Sequence, residues 1–237
     1  PVVTFSINES DAITAVSENL RMETFKHFDI KKEIEVIVNF VDVSRFQRQP
    51  INAFKKVIAP NGERILLHAS NFRKIKRVQD VVNIFAEVNK QIPSKLLFVG
   101  DGPERSTAED LARELGVCDE IQFVGKQEQM EDIMPIADLF LLTSEYESFG
   151  LAALEAMAAG VPVVSTNAGG LSEIVTDGDN GYMGDVGDVA TMSKHALAIL
   201  KDDHTLNEFK KRAAEHAKKF DISKIIPLYE KLYERFL

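Results

Sequence analysis

The sequence holds a single cysteine in 237 residues, Cys118, so an internal disulfide framework is excluded and a reducing cytoplasm suits the chain. Cys118 lies in a Gly-Val-Cys-Asp connection with no obvious histidine partner and reads as a structural residue. No uninterrupted apolar stretch approaches the roughly 18 residues that a membrane-spanning helix requires. Positive charge is in deficit: 28 Lys and Arg stand against 37 Asp and Glu, a net charge of −9, which argues against a nucleic-acid groove. A local basic patch must therefore have a local reason. There is no cluster of ligands with zinc or calcium spacing. No G-x-G-x-x-G opens a βα turn, which argues against a dinucleotide-dependent dehydrogenase. Internal repeats and low-complexity segments are also absent.

What is present is an alternation. ERILLHAS (63–70), KLLFVG (95–100), EIQFVG (120–125), ADLFLLTS (137–144) and VPVVST (161–166) are apolar runs of strand length. Between them, RVQDVVNIFAEVNKQI (77–92) carries apolar residues at 78, 81, 82, 85 and 88, a helical stripe. PERSTAEDLAREL (103–115) reads as a helix with Pro103 in its first turn. Strands separated by helix-length segments predict an α/β fold built on a doubly wound, mostly parallel sheet. Upstream, DAITAVS (11–17) reads as a buried strand, Ser17 as a helix cap, and VIVNFVD (36–42) as a further strand and connector. Residues 43–62, rich in Gln, Asn and Pro, form the candidate linker, either a surface loop with a short helix or a poorly ordered segment. Helices are expected at about 203–219 and 222–236. The second has Ile225, Leu228, Tyr229, Leu232 and Phe236 on one side, and Pro227 should kink it or set its start.

The run ESFGLAALE (147–155) carries the most chemical information. Glu147 and Glu155 lie eight residues apart, about 80° on a helical wheel and about two turns along the axis. With a helix starting near Phe149, the amides of Ser148, Phe149, Gly150 and Leu151 become the unpaired donors of its first turn, a cradle for phosphate. Gly150 lets an anion approach the backbone. Taken alone, the two acids are accounted for equally well by the helix dipole.

The longer run SEYESFGLAALEAMAAGVPVVSTNAGGLSEIVTDGDNGYM (144–183) resembles the signature of retaining GT-B-fold glycosyltransferases of the sucrose-synthase and glycogen-synthase-like family. The signature is the E-x7-E pair, a Gly-Val-Pro strand, and a Gly-Gly turn with Glu173. Within that family, SNFRKIKRVQDVV (70–82), FVGDGPERST (98–107) and FVGKQEQ (123–129) are similar to the branch that transfers N-acetylglucosamine from UDP-GlcNAc to L-malate in bacillithiol biosynthesis. The matches extend over most of residues 12–237.

The resemblance implies a GT-B architecture in which the first Rossmann-like domain is largely absent from this sequence. Residues 1–42 would be the remnant of that domain and the hinge, 43–218 the nucleotide-sugar-binding domain, and 219–237 the C-terminal crossover helix. The apolar face of that helix would then be partly orphaned and favour homo-oligomers. The fragment is expected to bind donor weakly and to transfer nothing.

The resemblance also implies the site. Lys76 and Glu147 carry the catalytic roles: Lys76 stabilises the departing diphosphate, and Glu147 binds the sugar hydroxyls and orients the ring. Glu155 holds the ribose hydroxyls. The amides of Ser148, Phe149, Gly150 and Leu151 help on the diphosphate, and Gly125, Lys126 and Gln127 hold uracil through backbone groups. The family's usual arginine is replaced by Asn71, which leaves Asn71 or Arg73 as the further diphosphate contact. Gly100 and Gly102 form a tight turn that lets backbone approach the ligand. The glutamates are not a hydrolytic acid/base pair. No metal and no cofactor beyond the UDP-sugar donor is required, and the acceptor is a small hydroxy acid. His68, near a strand end, is the histidine closest to the inferred cleft, while His27, His195, His204 and His216 read as surface or satisfied residues. The alternatives are a relative with another sugar or acceptor, and a UDP-GlcNAc 2-epimerase, which shares the two-domain fold but not the E-x7-E run.

Overall fold

The computed structural model describes residues 2–47 and 52–237. The N-terminal stretch folds as α1 (Val2–Glu9), β1 (Thr14–Ala15), α2 (Glu18–His27) and β2 (Glu35–Val36), with β1 and β2 paired in parallel. The strands expected over 11–17 and 36–42 shrink to these two-residue pieces, because each has only the other to pair with. Ser17 caps α2, its hydroxyl oxygen accepting from the Leu20 amide at 3.0 Å. Val41 then bridges to the far end of the chain: its amide donates to Phe220 O and its carbonyl accepts from Ile222 N, both at 3.0 Å.

Two short helices, α3 (Val43–Phe46) and α4 (Asn52–Ile58), occupy the stretch read as a linker, of which residues 48–51 lie outside the described residues. Phe46 and Ile58 are buried in the main core, so this part is packed structure rather than a loose loop.

The body of the molecule is a six-stranded, all-parallel sheet of β3 (Arg64–Ser70), β4 (Ser94–Gly100), β5 (Ile121–Phe123), β6 (Leu139–Leu142), β7 (Val163–Thr166) and β8 (Gly181–Gly184). Its order is β5-β4-β3-β6-β7-β8. The intervening helices are α5 (Val78–Asn89), α6 (Arg105–Glu114), α7 (Met130–Ile133), α8 (Leu151–Ala158), α9 (Val189–Leu200), α10 (Asp203–Ala217) and α11 (Ile222–Glu234). Pro103 precedes α6 rather than opening it, since Glu104 occupies the cap.

Why the strands read as continuous apolar runs is visible in the packing. Successive strand residues point to opposite faces. Ile65, Leu67, Leu97, Val99, Phe140, Leu142 and Val163 enter one core, and Leu66, Leu96, Phe98, Leu139, Leu141 and Val164 enter the other. Both faces are covered, so neither set can be polar. Each fully buried aliphatic or aromatic side chain contributes about 1.5–3 kcal/mol relative to exposure. The helical stripe at 78, 81, 82, 85 and 88 is buried throughout and faces the second core.

At the base of the sheet Asp138 is nearly fully buried and accepts from the Ile65 amide at 3.1 Å and from Lys210 Nζ at 2.7 Å, with Lys55 Nζ at 3.5 Å. This staple joins α4 and α10 to the starts of β3 and β6. Burial alone would raise the Asp138 pKa, but Lys210 and then Lys55 outweigh it and hold the carboxyl below its ordinary range.

Helix α11 begins at Ile222, five residues before Pro227, so the proline does not set its start. Ile225 and Leu232 are buried against Ile37, while Leu228 and Phe236 remain exposed.

Candidate functional site

The strand order reverses between β3 and β6, and in open parallel sheets ligands enter at the carboxyl ends of the strands at such a switch point. Two adjoining pockets lie there. One, of about 260 Å³, is lined by Ala69, Ser70, Asn71, Lys76, Leu142, Glu147, Gly150, Leu151 and Ala152. The other, of about 340 Å³, shares Ala69, Ser70 and Asn71 and extends along β4 to Lys126, Gln127 and Met130. Together they form one cleft across β3, β4 and β6.

Lys76 reaches the cleft from the loop after β3. That loop is tight: Phe72 and Arg77 both adopt positive φ, 38° and 47°, an uncommon state for side chains with a Cβ. The second core holds Phe72, fully buried against Phe98, and Arg77 is fixed by Asp80 at 2.6 Å and Glu145 at 3.2 Å. The loop is stitched to the one after β6 by Glu145 N donating to Ile75 O at 2.8 Å and by the Thr143 hydroxyl, 2.9 Å from Lys76 O. Lys76 Nζ thereby stands 2.6 Å from Glu147 Oε1, and the Ser144 hydroxyl donates to the same oxygen at 2.7 Å. Glu147 Oε2 is left without a partner among the described residues, and Glu147 lines the cleft. Ser144 was not anticipated as a site residue; its spacing three residues before Glu147 was the available signal.

The helix behind this loop starts later than the sequence implies. Gly150 is the cap of α8, at φ 101°, and its carbonyl accepts from Ala153 and Leu154. The amides that precede the helical hydrogen bonds are those of Gly150, Leu151 and Ala152, all of which line the cleft. Ser148 and Phe149 stand before this first turn and do not line the pocket. The Phe149 side chain fills the core beside Phe220, and Ser148 turns its carbonyl to the Ser17 hydroxyl at 2.6 Å. Gly150 also has a packing reason: a Cβ there would meet Leu171 Cδ2 at 2.5 Å.

Other expectations shift as well. The close approach allowed by Gly100 and Gly102 is to the neighbouring chain segment, since a Cβ would lie 1.8 Å from Ser70 O and 2.0 Å from Asn71 O. These glycines let the β4–α6 loop press on the loop that presents Asn71. Gly125 accepts from the Gly100 amide at 2.8 Å, and the Gln127 side chain donates to Val124 O at 2.8 Å, so Gly100 and Gln127, which both line the second pocket, are fixed to its neighbouring backbone. Arg73 and Lys74 are exposed, and Arg73 lines neither half of the cleft. His68 is fully buried. Its Nδ1 donates to Leu141 O at 2.9 Å, so Nε2 accepts from the Ser70 hydroxyl at 2.8 Å. Burial lowers its pKa to about 4, and it is a neutral core residue.

Glu155 lies one turn into α8 and lines neither pocket. Burial raises its pKa, the nearby Glu131 carboxylate raises it further, and Arg45, paired with Glu131 at 2.6 Å, opposes them. It is a carboxylate held in a costly state. Among the described residues no group of three or more His, Cys, Asp or Glu side chains is arranged to hold a metal ion, and no helix is long and apolar enough to cross a membrane.

Residues 51–219 match the family described as Glycosyl transferases group 1. The chain belongs to that family. Over 234 residues it is 41% identical to N-acetyl-alpha-D-glucosaminyl L-malate synthase of Bacillus anthracis, covering 98% of this chain and 61% of the relative. It is 28% identical to the D-inositol 3-phosphate glycosyltransferase of Corynebacterium kroppenstedtii, covering 90% of this chain and 51% of that one. The chain thus spans between half and two thirds of these relatives' lengths. Among solved structures, Anabaena HepE in complex with UDP and glucose superposes with a TM-score of 0.89 at 23% identity, over 98% of this chain and 66% of its own. That likeness establishes the fold, the GT-B type of α/β architecture expected for group 1 glycosyl transferases.

Proposed function

We propose that this chain is the donor-binding part of a retaining glycosyltransferase that moves N-acetylglucosamine from UDP-GlcNAc to L-malate, the step that the sequence resemblance places in bacillithiol biosynthesis. The observation that carries the reading is the convergence, in one cleft, of Lys76, the free Oε2 of Glu147 and the amides of Gly150, Leu151 and Ala152. The cation and the amides face the negative charge that develops on a departing diphosphate. Glu147 Oε2 supplies an acceptor for a sugar hydroxyl; the ribose role that the resemblance implies for Glu155 requires its side chain, which lines neither pocket, to turn from Glu131 and Arg45 toward the cleft. Asn71 borders both pockets and is the better placed of the two candidate diphosphate partners; Arg73 is the poorer. Uracil fits the second pocket, beside Lys126 and Gln127. Leaving-group charge is met in this reading by Lys76 and amides, with no metal.

The identity with the Bacillus anthracis malate synthase supports the choice of sugar and acceptor. The experiment is a chimera in which this chain replaces the matched region of that protein, assayed for UDP release from UDP-GlcNAc with and without EDTA. Release with L-malate, unaffected by EDTA, supports the reading. Preference for inositol phosphate would move it to another acceptor, release without any acceptor would favour an epimerase, and loss on chelation would contradict a metal-free mechanism.

A further inference from the structure

Glu173 closes the Gly-Gly turn of the family-like signature, yet it lines neither half of the cleft and the donor reading gives it no task. Its carboxylate faces the N-terminal segment. Glu173 Oε2 accepts from the Glu18 amide at 3.0 Å and Oε1 from the Asn19 amide at 2.8 Å, two free donors at the start of α2. The neighbouring cap, Ser17, is fully buried and donates its hydroxyl to Ser148 O at 2.6 Å.

The turn that carries Glu173 grips the next peptide of the same loop. Gly170 N donates to Glu147 O at 2.8 Å. The contact is so close that a Cβ on Gly169 would lie 2.0 Å from Glu147 O, and one on Gly170 2.5 Å from Ser148 O. The carbonyls of Glu147 and Ser148 are therefore both held from behind, one by the turn and one by α2, and Glu173 ties those two holders to each other. With both carbonyls fixed, the Glu147 side chain is directed into the cleft.

We infer that Glu173 is a positioning residue: by capping α2 it locks the Ser17 and Gly170 contacts that aim Glu147 at the sugar of the donor. The inference rests on the donor reading above. It separates sugar from nucleotide, because Lys76 belongs to another loop and Glu155 to a helix whose Ala153, Leu154 and Met157 are buried in the core. Loss of the latch displaces Glu147; Lys76 gives up its ion-pair partner but keeps the Thr143 hydroxyl on its carbonyl at 2.9 Å, and Glu155 keeps its helix.

The test uses the 237-residue chain, with calorimetry of UDP and of UDP-GlcNAc for the wild type, Glu173→Ala and Glu173→Gln, and amide hydrogen exchange over residues 144–152. Glu173→Ala is expected to weaken UDP-GlcNAc by about tenfold or more, the scale of a hydrogen bond to a charged group. UDP itself should change by less than about threefold, within the scatter of a single neutral contact. Exchange over 144–152 should speed up. Glu173→Gln, which keeps one acceptor oxygen, should recover part of the loss and serves as the second variant if the alanine form does not fold. A wild type that binds neither ligand overturns the donor reading and this inference with it. A wild type that binds both, with unchanged UDP-GlcNAc affinity in the variants, or with UDP weakened equally, overturns the latch alone.

Discussion

Lys76 Nζ and Glu147 Oε1, 71 residues apart in sequence, lie 2.6 Å apart where the loops after β3 and β6 meet. Both side chains are more than four-fifths buried, at 19% and 15% exposure, so each is the other's compensation for lost water. A diphosphate entering the cleft offers Lys76 a second anion, and a sugar offers Glu147 hydroxyl donors. The pair holds the two groups at the right places before any ligand arrives, which lowers the ordering cost of binding.

Glu155 and Glu147 are expected to separate on substitution. Glu155→Gln should weaken UDP, whereas Glu147→Gln should weaken UDP-GlcNAc and leave UDP nearly unchanged, both read by calorimetry. Glu155 also carries a stability signature. Its folded pKa is raised, so its favourable contribution is fully present below the ordinary value of 4.5 and is lost as pH rises through the raised one. Glu155→Gln should accordingly raise the melting temperature of the ligand-free chain at pH 7 while it weakens UDP. Equal losses of UDP affinity in the two variants would merge the roles.

Asp138→Asn should destabilise the fold by about 3 kcal/mol, the low end for breaking a buried ion pair, because the lysines left behind keep part of their hydration. The carboxyl is held below its ordinary value of 3.8, so its contribution is present above that value and disappears as pH falls below it. Urea denaturation should show the full difference between wild type and variant at pH 7 and a difference that shrinks progressively as pH is taken below 3.8.

His68 should produce a separate acid limb. It stays neutral in the fold down to about pH 4, whereas the unfolded chain takes up the proton near 6.5. Stability from this group is complete above 6.5 and falls away between 6.5 and about 4. His68→Leu should flatten that limb in melting scans, at a cost at pH 7.5 of about 1–3 kcal/mol from the unpaired Leu141 carbonyl.

The main sheet was legible because burial on both faces leaves uninterrupted apolar runs, as in ILL (65–67) and LFLL (139–142). The stripe of α5 and the Ser17 cap were legible for similar local reasons. The N-terminal strands were not: DAITAVS and VIVNFVD have strand-like composition, but strand length is set by a partner, and they meet over one two-residue ladder, with a separate single bridge from Val41 to Asp221. At the cleft, Lys76 and Glu147 could be named through the family resemblance: the carboxyl ends of the strands marked the place, but the acids around the start of α8 are accounted for equally well by the helix dipole. The contacts that Ser17 and Gly170 make with this loop were not legible, since they run through a hydroxyl or a backbone amide to residues up to 131 positions away. The same limit misplaced the first turn of α8, where the apolar Phe149 reads equally well as helix or as core plug.

Calorimetric titration of UDP into the wild-type chain and into Lys76→Ala tests the central claim most directly, that the cleft between β3 and β6 receives the diphosphate of a nucleotide sugar. The wild type should bind, and the substitution should weaken binding by about 1.5–3 kcal/mol, the scale of a hydrogen bond to a charged group. UDP affinity unchanged in Lys76→Ala would contradict the account and move the phosphates elsewhere.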